Sequence, residues 1–200
     1  MGWWKEPGAI DSQPALAWPS GLMARVGRAF PEAGPDALGV LARGFESYLF
    51  AARMWGPQFS VAMPSKSVDE VWHNAMLHSR FYEALCAREV GWFLHHDPGP
   101  LAGTGTRTQA DADDELSGLA RAWVGSCEAE GLDWRGSAQP SLFAADALVG
   151  VEDGFRFYAG KALGAGALAP IQERAAILMA AKPVAAKRRG LAPRWLGKLK

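Results

Sequence analysis

The helical pattern of the chain is clearest in the stretch Ser67-Val-Asp-Glu-Val-Trp-His73-Asn-Ala-Met-Leu-His78-Ser-Arg-Phe-Tyr-Glu-Ala-Leu-Cys86-Ala-Arg-Glu-Val-Gly91. Ser67 and Glu70 have the spacing of a capping box, which predicts a helix that begins at about Val68. Apolar residues then recur at three- and four-residue steps, as one buried helix face requires. Asp69 and His73 are four residues apart, so they should lie side by side on one flank of this helix.

A break is expected in the middle of this stretch, between Leu77 and Ser79. On a straight helix, His78 would lie about 140° round the axis from His73. Ser79 offers a new N-cap, and Gly91 is the type of residue that commonly ends a helix. We therefore predict two helices joined by a bend, which could bring His78 back toward His73.

Similar periodicity predicts further helices over residues 36–53, 113–130, 142–148 and 172–182. Asp36 is the expected N-cap of the first of these. Residues 99–112 have the composition of a flexible linker, and residues 155–158 alternate like a short extended segment. The predicted fold is mostly α: a compact, single-domain helical bundle. We assign its domain to residues 36–180, after an irregular lead-in over 1–35 and before a basic tail over 181–200.

The composition supports one folded domain. The 200 residues are 49% hydrophobic and include nine tryptophans, which suffices for one core and is unlike a disordered chain. We identify neither a signal peptide at the N-terminus nor an apolar run long enough to span a membrane. The chain has two cysteines, Cys86 and Cys127, and we expect free thiols and a cytoplasmic location.

Charge is distributed unevenly along the chain. Seven basic residues and no acidic one lie between Lys182 and Lys200, so residues 1–181 carry a charge of −7 within a neutral whole. Such a tail could contact nucleic acid or an anionic membrane surface, with Trp195 and Leu196 as an apolar anchor. The alternative is a solvated C-terminus without a binding role.

All four histidines fall within one short stretch that also contains one of the two cysteines. Imidazole, thiolate and carboxylate are the usual ligands of zinc and of its first-row neighbours. The candidate ligands for zinc or another divalent metal are Asp69, His73, His78, Cys86, His95 and His96. Asp69 would be a ligand itself or would orient His73. The spacing of this set matches no established zinc motif.

A purely structural interpretation of the same cluster is also open. His73 could donate to Asp69, and His95 and His96 could satisfy free carbonyls at a helix end. Cys86 on the apolar face would then behave as a small hydrophobic side chain. In that case the neighbouring aromatic residues belong to the core: Trp72, Tyr82, Trp92 and Phe93.

A third interpretation is an enzyme of unknown substrate. It would be metal-dependent, or would use Cys86 as a nucleophile with a histidine base, or Asp69 and His73 as a dyad. A reactive thiol needs an exposed, electropositive setting, which a buried helix face does not provide. Gly103-Thr-Gly105-Thr lacks the spacing of a nucleotide-binding loop, so we expect no bound cofactor of that kind.

Several short motifs resemble those of a known family. They are Asp69-x-x-Trp72-His73, then Tyr82 and Cys86, the ending Gly91-Trp-Phe-Leu-His-His-Asp-Pro98, and the later segments Leu119–Trp123, Leu142–Asp146 and Gly154–Tyr158. Together they are similar to short bacterial members of the glycine-rich domain-containing protein-like family, over about residues 36–160. The resemblance implies no established activity. It also implies a cysteine after the last motif, where this chain has Ala159-Gly160-Lys161.

These observations favour a binding or interaction role centred on the histidine cluster, with a divalent metal or a protein as the partner. The alternative is the metal-dependent or cysteine-based enzyme.

Overall fold

The computed structural model describes residues 18–96, 108–157 and 167–181. These ranges contain seven α-helices and one π-helical turn, and no β-strand. The helices are α1 (Leu22–Ala29), α2 (Pro35–Trp55), α3 (Lys66–Leu77), α4 (Ser79–Leu85), α5 (Gln109–Glu130), α6 (Ser141–Val149) and α7 (Leu168–Ala181). The π-helical turn (Cys86–Val90) continues α4. The predicted mostly α, compact helical fold is thereby confirmed.

Some predictions concern residues outside these ranges. They are the first 17 residues of the lead-in, the linker up to residue 107, the end of the extended segment at Tyr158, and the basic tail from residue 182.

Helix α2 lies at the centre of the fold, against α5, α6 and α3. Helix α5 also packs against α7. The largest fully buried side chains are Trp123, Tyr82, Phe45, Leu22, Leu41 and Leu49. The two long helices approach closely at Gly125, where an added Cβ would lie 2.4 Å from the Cβ of Ala51. Only glycine allows this contact between the helix backbones.

Helix α3 begins two residues earlier than predicted, and the predicted capping box between Ser67 and Glu70 does not form. The N-cap is Ser65, whose hydroxyl accepts from the amide of Val68 at 3.1 Å. The Ser67 hydroxyl instead donates to a carboxylate of α6, and the Glu70 carboxylate accepts from the side chain of Asn74. Ser65 has the extended backbone typical of an N-cap, with φ −148° and ψ 122°.

Asp146 of α6 is the carboxylate that holds the start of α3. It is 1% exposed and accepts hydrogen bonds from the hydroxyls of Ser65 and Ser67, the amides of Lys66 and Ser67, and the amide of Phe155. Burial opposes ionisation of this carboxyl, but these hydrogen bonds outweigh it and hold its pKa below the usual value. A negative charge at a helix N-terminus is also favoured by the helix dipole.

The predicted bend between α3 and α4 is confirmed. Helix α3 ends at Leu77, α4 begins at Ser79, and His78 between them is non-helical, with φ −94° and ψ 63°. The second helix then widens into the π-helical turn, and Gly91 ends it with φ +99°, its amide donating to the carbonyl of Cys86 at 2.8 Å. This turn reverses the chain toward α3.

Other boundaries differ modestly from the predictions. Helix α1 lies in the segment predicted to be irregular, although Leu22 and Val26 are fully buried. A helix of eight residues with two buried side chains gives little periodic signal. Helix α2 begins at Pro35, so Asp36 lies in its first turn and is not the N-cap. Helix α5 begins four residues early, with a capping box between Thr108 and Asp111.

Replacement of Asp146 by asparagine should destabilise the fold by about 3 kcal/mol, because buried donors at α3 lose a charged acceptor. Since the pKa of the folded carboxyl lies below its ordinary value of 3.8, its stabilising contribution is present above about pH 4 and is lost as the pH falls through the folded pKa. The D146N variant should lack this acid dependence in urea unfolding. Asp153→Asn, which removes an exposed partner of Lys66, is the matched control and should unfold like wild type. Equal stability of D146N and wild type at pH 7 would contradict this role.

Gly125→Ala should destabilise the fold by about 2 kcal/mol or more, because the new methyl group forces α2 and α5 apart. Gly39→Ala in α2 is the control, since the nearest atom to its Cβ is the end of the Arg43 side chain at 3.8 Å. That change should stabilise α2 by about 0.5–1 kcal/mol through helix propensity. Thermal unfolding of both variants measures the difference, and a neutral G125A would show that the helices can separate at no cost.

Candidate metal site

The segment after Gly91 returns over α3 and is held there by Tyr82. The Tyr82 hydroxyl accepts from Nε1 of Trp72 at 2.8 Å and donates to the carbonyl oxygen of Leu94 at 2.5 Å. Burial raises the pKa of this phenol, so the hydroxyl keeps the proton that it donates. The imidazole of His96 packs edge-on against the ring of Trp72, with 4.5 Å between ring centroids.

Asp69, His73 and His96 converge as a result. Nε2 of His96 lies 3.1 Å from Nε2 of His73 and 3.2 Å from Oδ1 of Asp69. Nε2 of His73 lies 3.5 Å from Oδ2 of Asp69. The side chains are partly buried, with exposed fractions of 29% for Asp69, 46% for His73 and 18% for His96. They form the one group of this kind among the described residues that could hold a metal ion.

The distances within this triad match those between ligands of a metal. Two ligands at the usual zinc bond lengths are about 3.3 Å apart in tetrahedral coordination. The closest approaches between the three side chains are 3.1, 3.2 and 3.5 Å, the second to Oδ1 and the third to Oδ2 of Asp69. One ligand atom from each residue lies within 4.8 Å of the other two. Without a cation, each neutral imidazole can donate only one hydrogen bond and the ionised carboxylate can donate none. The three side chains therefore have more acceptor atoms than donors. A bound cation would satisfy all three side chains at once.

The other candidate ligands lie outside this triad. His78 sits at the helix bend, and its Nε2 is buried with no hydrogen-bond partner among the described residues. Cys86 is 1% exposed and lies in the core at the start of the π-helical turn. The exposed imidazole of His95 packs edge-on against Phe93, with 5.0 Å between centroids. The triad therefore combines the predicted pair on α3 with one member of the adjacent histidine pair.

A cleft of about 710 Å³ adjoins the triad, and both Asp69 and His96 line it. Its floor includes Tyr48, whose hydroxyl donates to the carbonyl oxygen of Val61 at 3.0 Å. Burial and, to a smaller extent, Asp69 raise the pKa of Tyr48, so this phenol also stays protonated. Of the triad, Asp69 and His96 border this cleft and His73 does not.

The far wall of the cleft is the loop that follows α2. Arg121 of α5 donates to the carbonyl oxygen of Ser60 at 2.8 Å, and its guanidinium lies 5.0 Å from the ring centre of Phe59. The amide of Ala62 donates to the carbonyl oxygen of Gly118 at 3.2 Å. These contacts with α5 fix the loop in position.

A family model matches residues 10–167 of the chain. The chain belongs to the UCP032817-like family. The predicted membership of the glycine-rich domain-containing protein-like family is therefore wrong. The expectation of a cysteine after Tyr158, which rested on that resemblance, is withdrawn. The UCP032817-like match also extends well before residue 36, where the supposed resemblance began. No curated protein and no solved structure matches the chain significantly.

Several cleft residues of this UCP032817-like chain were not anticipated from its sequence. Phe59 and Phe155 come from loops, where no periodic pattern marks a residue's position. Phe93 was expected in the core, yet it is 49% exposed. Trp72 and Tyr82 are buried as expected.

Within the described ranges, no helix combines the length and apolar character needed to cross a membrane.

Tyr82→Phe should destabilise the fold by about 1–3 kcal/mol, because it leaves the buried indole N–H of Trp72 and the Leu94 carbonyl without their partner. It should also shift the NMR signals of the His96 imidazole, which depends on that contact for its position. Tyr48→Phe is the control: it removes one hydrogen bond to Val61 and should leave the His96 signals in place. If the His96 signals were unchanged in Y82F, the hydroxyl would not position this imidazole.

Proposed function

We propose that this protein binds a divalent metal ion, with zinc favoured, through Asp69, His73 and His96. The observation that carries the proposal is the convergence of the two Nε2 atoms and the carboxylate at 3.1–3.5 Å. Two imidazoles and one carboxylate are an established zinc ligand set, and other first-row metals accept it too.

The arrangement of the ligands along the chain supports the same proposal. Asp69 and His73 are one helical turn apart on α3, a rigid element held at its start by Asp146. His96 comes from a separate segment that Tyr82 holds over α3. Sites with ligands fixed by supporting hydrogen bonds lose less entropy on binding the metal.

A metal-dependent enzyme is the second candidate. Three protein ligands leave a fourth coordination position for water or substrate, as in catalytic zinc sites. That position would be open to the 710 Å³ cleft, which Asp69 and His96 line. A cysteine nucleophile has less support, because Cys86 is almost fully buried.

We also propose a cytoplasmic location. Both cysteines are buried and free, and burial raises the pKa of Cys127 to about 12. Unpaired, unreactive thiols are typical of proteins from reducing compartments.

Purified full-length protein, stripped of metal, should bind one equivalent of zinc in isothermal titration calorimetry. His73→Ala, His96→Ala and Asp69→Asn should each weaken binding by about 100-fold or more. His95→Ala is the matched control, since it removes the neighbouring exposed imidazole and should retain one equivalent.

Two results would contradict the proposal. One is the absence of stoichiometric binding of zinc or of another first-row divalent ion to folded wild-type protein. The other is binding that survives unchanged in the His96→Ala variant, which would locate the metal elsewhere.

A further inference from the structure

Three phenylalanine side chains are exposed around the cleft beside the triad. Phe59 is 46% exposed, Phe93 49% and Phe155 48%, and all three line the cleft. They come from three separate segments of the chain: the loop after α2, the segment after Gly91 and the loop after α6. Full burial of such a side chain is worth about 1.5–3 kcal/mol, so the cleft retains unused apolar binding energy.

The size of the cleft fits a small molecule. Its volume of about 710 Å³ falls within the range of about 300–1,000 Å³ typical of sites for small ligands. Such sites combine apolar walls with a few convergent polar groups that fix the orientation of the ligand. Here the apolar wall is formed by phenylalanines and Trp92, and the polar groups include Asp69 and His96 of the triad.

A metal ion on the triad would make the cleft favourable to an anionic head group. Among its described lining residues, only Lys66 and Asp69 carry a formal charge when the histidines are neutral. The ammonium of Lys66 already pairs with Asp153 outside the cleft. A divalent metal on Asp69 would leave a net charge of +1 at the open coordination position, which a single carboxylate neutralises.

We infer that the cleft binds a small amphipathic carboxylate, with its aromatic or branched apolar body among Phe59, Phe93 and Phe155. One carboxylate oxygen occupies the fourth coordination position of the metal. This inference rests on the proposed metal site and adds the chemical class of its ligand. The body and the head group each contribute, so neither part alone should bind well.

The probe for this inference is 3-phenylpropionate, titrated into the zinc-loaded full chain by calorimetry. Acetate supplies the head group without the ring, and 3-phenylpropan-1-ol supplies the ring without the charge. Both should bind at least about tenfold more weakly than 3-phenylpropionate, as loss of about 1.4 kcal/mol implies. Metal-free protein should show a similar loss of affinity for 3-phenylpropionate.

Phe93→Ala and Phe155→Ala test the apolar wall. Each should weaken binding of 3-phenylpropionate about tenfold, while one equivalent of zinc is retained. Ile177→Ala is the matched control, because Ile177 is 61% exposed on α7 and does not line the cleft. It should change neither zinc nor phenylpropionate binding.

The outcomes separate this inference from the metal proposal. Zinc binding at one equivalent without binding of 3-phenylpropionate overturns the inference and leaves the metal site standing. No bound metal overturns both. Equal affinity for 3-phenylpropionate with and without zinc overturns coordination of the carboxylate. A dimer in size-exclusion chromatography that dissociates in Phe93→Ala overturns the inference in favour of a second copy of the chain as occupant.

Discussion

The carboxylate of Asp146 fixes the part of the molecule on which the candidate site depends. It accepts from two amides and two hydroxyls at the start of α3, and from the amide of Phe155 in the loop after α6. The first four bonds set the position of the helix that carries Asp69 and His73. The fifth positions a phenylalanine at the rim of the cleft. One buried charge thus joins the two sides of the site, and a buried carboxylate with this many donors is satisfied only in one arrangement.

The position of His96, the third residue of the triad, depends on a different constraint, the course of the chain after α4. The π-helical turn and Gly91 reverse the chain, and the Tyr82 hydroxyl ties the returning segment to Trp72. Because Trp72 lies on the same helix as Asp69 and His73, His96 is placed relative to its partners through a short path of contacts. Short paths between ligands keep the geometry of a site well defined.

The local features of this site could be predicted from the sequence, and the long-range ones could not. The side-by-side placement of Asp69 and His73 follows from their four-residue spacing on a helix. Ser79 marks the bend, and Gly91 marks the end of the π-helical turn after α4. The choice between His95 and His96 depends on the direction of a non-helical segment, which no periodicity encodes. The true cap of α3 depends on Asp146, which is 81 residues from Ser65 in the chain. Loop residues such as Phe59 reach the cleft through contacts with α5, which local sequence does not reveal.

The segment from Gly91 to His96 contributes both to the wall of the cleft and to the triad. Trp92 and Phe93 line the cleft, and His96 contacts Asp69 only a few residues later. An ion on the triad and an occupant of the cleft would therefore contact the same six residues. Because Tyr82 already holds this segment over α3, a shift of Phe93 caused by an occupant would also shift His96 relative to Asp69. The two binding events would then be linked, and each would change the affinity for the other by the same factor.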